Sequence, residues 1–140
     1  MLGEKIGEFT GKTIGMRVLG GPNDHDHHHG PRMEVSMQQQ GKMLGIETTD
    51  TGTYESCLQQ GGYFHGRGQG VSMSKEGDVV TWTGTGVGKP TGKGMAVNWR
   101  GSLHYQTTST KFAKLNGLCC VYEYDLDENG NSHGRVFEWR

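Results

Sequence analysis

From Gly66 to Ser74 every second residue of the chain is glycine or serine. The segment YFHGRGQGVSMS places Gly66, Gly68, Gly70, Ser72 and Ser74 at one parity, and Tyr63, His65, Arg67, Gln69, Val71 and Met73 at the other. In an extended chain alternate residues point to opposite faces, so one whole face here is almost bare. WTGTGVG repeats the pattern with Gly84, Gly86 and Gly88. A strand bare on one side lets a neighbouring backbone or an aromatic ring approach closely, and it tolerates strong bending. Small closed barrels need such coiled strands, and closure removes the exposed edges an all-β chain must otherwise protect.

The same period of two runs through the rest of the chain. Met33, Val35 and Met37 alternate with Glu34, Ser36 and Gln38. Met95, Val97, Trp99, Leu103 and Tyr105 share a face opposite Asn98, Arg100, Ser102 and His104. Leu118, Cys120, Tyr122, Tyr124 and Leu126 oppose Val121, Glu123 and Asp125. This alternation marks strands with one buried face. Turn chemistry separates them: ENGN around Asn129–Gly130 predicts a type I′ hairpin, while KEGD at 75–78 and QQGGY at 59–63 are weaker signals of the same kind. Strands are expected near 4–18, 32–40, 42–50, 53–60, 63–74, 78–88, 94–108, 118–126 and 132–140, eight or nine in series. Only 109–117 reads as helical, with Ser109 as cap, Phe112 and Leu115 three apart and Gly117 as stop, a plug for an open barrel end. The expectation is all-β: a single closed or nearly closed antiparallel β-barrel of about eight strands with one short helix, occupying 1–140 as one domain.

Composition narrows the partners. With 14 basic and 15 acidic residues the formal net charge is -1, which lacks the basic excess of nucleic-acid or anionic-membrane binders. Glu4, Lys5 and Glu8 stand where a signal peptide needs an apolar run, and no stretch approaches the roughly 18 apolar residues of a membrane span. A cytoplasmic protein is expected. The three cysteines fit that compartment as reduced thiols, because adjacent Cys119 and Cys120 point apart on a strand and an odd number completes no disulfide framework. Only 31% of residues are hydrophobic, but 25 glycines bring the non-polar share near half, an ordinary globular value.

No sequence motif fixes a chemistry. GRGQG and GTGVGK resemble phosphate loops, but their glycines are spaced by two throughout, Lys89 precedes Pro90 and Lys93 precedes Gly94. No G-x-S-x-G elbow and no recognisable catalytic cysteine occurs. GPNDHDHHHG at 21–30 offers His25, His27 and His29, with Asp26 and His28, as weak ligands for zinc, nickel or copper. A dedicated site draws ligands from rigid elements and orients each imidazole with a further hydrogen bond, which a loop between Pro22 and Pro31 does not offer. The run is therefore expected to be a solvated β–β loop, and no cofactor is implied. Polar residues within the strands supply the other candidates: Glu55, Tyr63, His65, Arg67, Arg100, His104, Glu123 and Glu138. In a half-buried strand such residues ordinarily face solvent.

The segments GKMLGIETTDTGTYES, GRGQGVSMSKEGDVVTWTGTGVGK and AVNWRGSLHYQTTSTKFAKLNGLCCVYEYDLDENGNSHGRVFEWR resemble a family of small uncharacterised prokaryotic proteins, over most of residues 10–140. That family is similar in turn, at the level of fold, to allene-oxide-cyclase-like and dirigent-like barrels of the calycin type. The resemblance implies a barrel that binds a hydrophobic small molecule and steers a cyclisation or coupling by shape. No cyclase catalytic residue maps onto this chain, and the His-rich run departs from the pattern.

Three functions follow as expectations. The first is a barrel cavity for a small, mostly apolar ligand, with Tyr63, Trp82, Trp99, Arg100 and Tyr105 in its wall. The second is a metal-free cyclase or isomerase using proton transfer among Glu55, His65, Arg67 and Glu138. The third is a structural or interaction barrel filled by its own side chains. A small hydrophobic ligand is the expected partner, with a homo-oligomer left open and neither nucleic acid nor membrane involved.

Overall fold

The computed structural model describes residues 2–20 and 30–140. His25, His27 and His29, and the loop reading of their run, lie outside the described residues. Eight strands follow one another: β1 (Leu2–Leu19), β2 (Arg32–Met43), β3 (Ile46–Leu58), β4 (Phe64–Ser74), β5 (Val79–Pro90), β6 (Val97–Thr107), β7 (Cys120–Leu126) and β8 (Asn131–Trp139). Each pairs antiparallel with the next, and β8 returns to β1 through pairs such as Phe9↔Gly134 and Gly11↔Ser132, closing the barrel.

The register explains the glycines. Gly66 pairs with Gly86 and Gly68 with Gly84, so the bare faces of β4 and β5 lie side by side, both turned inward. Large rings from neighbouring strands fill the space they leave. Inward positions alternate with exposed ones along β4, β5 and β6, where Ser72, Val80, Trp99 and Tyr105 are buried while Arg67, Thr83, Arg100 and His104 are exposed.

Two apolar layers close the barrel interior. Ile6, Phe9, Met43, Val80, Tyr105, Cys120 and Val136 pack at one end with Phe112 and Leu115. The expected helix over 109–117 is a single 3-10 turn, Ala113–Leu115, and it does plug that end: Phe112 and Leu115 are both 0% exposed. Asn116 fastens it by clamping Thr107, accepting from its N–H at 2.9 Å and donating to its carbonyl at 3.0 Å. At the other end Met37, Val97, Trp99 and Tyr124 pack with Tyr54 and Phe64.

Two local expectations are corrected. The two strands expected at 42–50 and 53–60 are a single strand, Ile46–Leu58, because the turn falls at Leu44–Gly45, with φ of 52° and 78°. That is the pair of left-handed residues a two-residue hairpin needs, one of them an unfavourable leucine half-buried against the core. The Asn129–Gly130 turn is not type I′, since only Gly130 has positive φ, at 84°. Asp127 sets a longer loop by accepting at Oδ1 from the backbone N–H of Asn129 at 2.8 Å and of Asn131 at 2.9 Å. The result is a type I turn closed by a left-handed glycine.

Candidate functional site

Between the two apolar layers lies a cavity of about 90 Å³. The glycine rows of β4 and β5 form part of its wall, with Trp82, Trp99, Tyr54, Tyr105, Tyr122 and Tyr124 around it. Tyr54 meets Trp99 edge-on at 5.6 Å between centroids and Tyr124 at 6.3 Å, so the rings brace one another.

One polar cluster stands in this aromatic setting. Asp50, on the inward face of β3, is 3% exposed. Its Oδ1 accepts from Trp82 Nε1 at 2.8 Å and from Ser72 Oγ at 3.1 Å, and its Oδ2 accepts from Gln39 Nε2 at 2.6 Å. All three donors are neutral. Burial pushes the Asp50 carboxyl above its ordinary pKa, and the bonds from Trp82, Gln39 and Ser72 pull only partly against it. Burial also raises the phenols around the cavity, Tyr122 to about 12 and Tyr105 well above its usual value. Gln39 and Tyr124 both line the cavity; Gln39 Oε1 has no hydrogen-bond partner among the described residues, and the Tyr124 hydroxyl meets that of Ser132.

Of the sequence-derived ligand residues, Trp82, Trp99 and Tyr105 line the cavity. Tyr63 does not: it is 40% exposed, in the connection between β3 and β4. Arg100 points outward, where it bonds Asp125 at 2.7 Å. There it joins a ladder across the outer face of β6, β7, β8 and β1: Arg135 bonds Glu123 at 2.7 Å and Asp125 at 3.2 Å, and His133 meets Glu8 at 2.6 Å. Lys5 and His133 hold the exposed Glu8 carboxyl down at about 2. His104 is exposed on the outer face of β6.

The four proton-transfer candidates are not brought into one group. Glu55, His65 and Arg67 stand on the outer faces of β3 and β4, where Glu55 pairs in register with Arg67 and bonds Arg32 at 3.2 Å. Glu138 lies at the opposite end of the barrel, paired in register with Cys120 and bonded to Arg140 at 3.4 Å. Burial raises the Cys120 thiol to about 11, so it is a packing residue and not a ready nucleophile. Among the described residues no group of three His, Cys, Asp or Glu side chains is placed to hold a metal ion.

Sequence reasoning missed Asp50, Gln39 and Ser72. The available signal was parity: Ile46, Thr48, Asp50, Gly52 and Tyr54 share a face, and an aspartate stands among positions that point inward. Dividing the strand at 50–53 hid that parity.

No protein-family model matches the chain, and no curated protein matches it by sequence. Solved structures share its fold. A protein of unknown function from Clostridium acetobutylicum superposes with a TM-score of 0.79 at 12% identity, covering 96% of each chain. A conserved protein of unknown function from Rhodopseudomonas palustris gives 0.77 at 12% identity, over 99% of this chain and 97% of that one. A β-barrel-like protein from Acinetobacter baumannii gives 0.78 at 12% identity, over 100% and 96%. At that identity the likeness is one of fold.

Proposed function

We propose that the barrel binds a small, mostly apolar molecule in its central cavity, with the molecule's polar end at Asp50. The observation that carries this reading is a cavity of about 90 Å³ with aromatic walls and one buried carboxyl among neutral donors. An aspartate there costs stability unless something uses it, because a buried carboxyl without a cation is expensive. A convergent polar group inside an apolar pocket, with its pKa shifted by burial, is the usual form of a binding site.

The volume sets the ligand's size. Drug-sized ligands occupy pockets of about 300–1,000 Å³, and a cavity of about 150 Å³ holds benzene. The occupant in this conformation is therefore a compound of only a few non-hydrogen atoms. The same volume favours the filled structural barrel as the second reading. The cyclase-like reading drawn from family resemblance has less support, since Glu55, His65 and Arg67 stand outside the barrel and Glu138 lies at its far end.

The outer face of β5 to β8 carries charges and threonines, with apolar residues such as Val79 and Val87 among them, while the inner face carries rings. That is the reverse of a membrane-spanning barrel, and it supports a barrel working in water. No described helix is long and apolar enough to cross a membrane.

Native mass spectrometry of freshly purified protein tests the binding reading, together with crystals pressurised with xenon. A stoichiometric small adduct, or xenon density against Trp82 and Trp99, is expected. A barrel with no adduct and no xenon is filled, and the second reading then holds.

A further inference from the structure

We infer that the ligand of the barrel cavity is a small organic ammonium ion, recognised by Asp50, Gln39 and Tyr124. This deepens the binding reading and rests on it.

The first argument is charge. Asp50 is the buried carboxylate of the interior, and the groups facing it from β2, β4, β5, β6 and β7 are Gln39, Ser72, Trp82, Tyr105 and Tyr124, none of them a cation. Arg67 and Arg135 border the cavity but turn their side chains outward, Arg67 being exposed and Arg135 bonding Glu123; Arg100 and His104 are exposed, and Arg32 bonds Glu55. An interior that holds a carboxyl group and no positive side chain among the described residues selects against an anion and for a cation.

The second argument is hydrogen-bond polarity. Gln39 must turn its amide nitrogen toward the Asp50 carboxylate, because its oxygen would repel a carboxylate there. That leaves Gln39 Oε1 as a buried acceptor without a partner among the described residues, on a residue that lines the cavity and is 7% exposed. The Tyr124 hydroxyl, on a residue 9% exposed, meets the Ser132 hydroxyl and keeps an oxygen lone pair as a second acceptor. The available groups are thus a carboxyl group, an amide oxygen and a phenol oxygen. A primary ammonium presents three N–H donors and no acceptor, which complements that set.

The third argument is the wall. Trp82, Trp99, Tyr54 and Tyr105 turn aromatic surface toward the cavity. Ring faces attract a desolvated cation and also accept its short alkyl chain. The volume of about 90 Å³ limits that chain to a few carbons.

The test is a titration followed by amide and indole N–H resonances, with n-propylammonium, 1-propanol and propionate as matched probes. Propylammonium is expected to shift the Trp82 indole signal and to bind at least about tenfold more tightly than 1-propanol, with propionate excluded. Asp50→Asn should remove that tenfold preference while its spectrum remains that of a folded barrel. Tyr124→Phe should weaken propylammonium several-fold and leave 1-propanol unchanged, which keeps the test open if Asp50→Asn does not fold. If 1-propanol or propionate binds as well as propylammonium, the ammonium assignment falls and the cavity reading stands. Should none of the three perturb a cavity resonance, both fall.

Discussion

Gly70 and Trp82 are register partners across β4 and β5, and the indole lies so close over the glycine that a Cβ there would sit 2.3 Å from Trp82 Cε2. The ring is also held by the bond from Nε1, the atom next to Cε2, to Asp50. Gly52 on β3 supports the same ring, where a Cβ would lie 2.7 Å from Cζ2. The absence of side chains on one strand thereby fixes the orientation of a donor on another, and that donor fixes the carboxyl.

Gly70→Ala should therefore do two kinds of damage. Overpacking of a closed core costs about 1–3 kcal/mol, and displacing Trp82 also loses its hydrogen bond to the buried Asp50 carboxyl, worth about 0.5–3 kcal/mol. Gly15→Ala is the control, because a Cβ at Gly15 meets nothing within 4 Å. Urea melts of the two variants should differ by at least about 1 kcal/mol. Equal stabilities would show that Trp82 is not pinned as described.

Asp50 sets a pH dependence of stability. Burial raises its folded pKa above the ordinary 3.8, so the folded state holds that proton more tightly than the unfolded state does. The contribution from this group is complete below the unfolded value and is lost as pH rises through the folded one. Asp50→Asn cannot ionise, so its stability relative to wild type should climb with pH across that window and then level off. Denaturant melts from pH 3 upward, in steps, measure the difference. A relative stability that falls with rising pH would mean the three donors outweigh burial.

Glu8 works in the opposite sense. Its folded pKa of about 2 lies below the ordinary 4.5, so its bonds to Lys5 and His133 stabilise the fold above 4.5 and are lost as pH falls through 2. The pair is exposed, so salt should screen it. Glu8→Gln is expected to flatten the acid limb of the stability curve at low ionic strength and to change little in molar salt. An acid limb identical to wild type at low salt would remove Glu8 from the account.

The cysteines give a chemical check on packing. Cys120 is 0% exposed and its thiol is raised to about 11, while Cys57 is buried as well. At pH 8 only about one Cys120 thiol in a thousand would be ionised, so native alkylation by iodoacetamide should be slow at both sites and fast after unfolding. Mass mapping of the modified residues reads this directly. Rapid native labelling of Cys120 would mean that its end of the barrel opens.

How far the chain can be read unaided depends on the range of the signal. The barrel was legible because alternation and glycine parity are local: Gly66 to Ser74 on one side and Arg67 to Met73 on the other already state which face is inward. Trp82, Trp99 and Tyr105 were legible as wall residues for the same reason. The polar centre was not. Gln39, Asp50, Ser72 and Trp82 come from four strands, and only the register brings them together. The outward placement of Glu55, His65 and Arg67 was open to the same parity argument, since each lies one residue from an inward glycine or serine. Arg100 and Glu123 were legible as an outer pair only once β6 met β7 at that register.

The 3-10 turn offers a last test, because it is the piece of the barrel with the least backbone pairing. Its hold on the barrel is the burial of two side chains, Phe112 and Leu115, and the clamp of Asn116 on Thr107. Phe112→Ala removes a ring that is 0% exposed and should cost about 3–5 kcal/mol; Leu115→Ala should cost about 2–5 kcal/mol. Lys114→Ala, on the exposed side of the turn, should stay within about 0.5 kcal/mol. Tyr105 packs against this plug and also lines the cavity, so loosening the plug should reach the site as well. Hydrogen exchange at the Trp82 indole is expected to accelerate in Leu115→Ala by more than the global loss of stability accounts for. If it accelerates only by the global amount, the plug is a stability element alone and does not control access to the cavity.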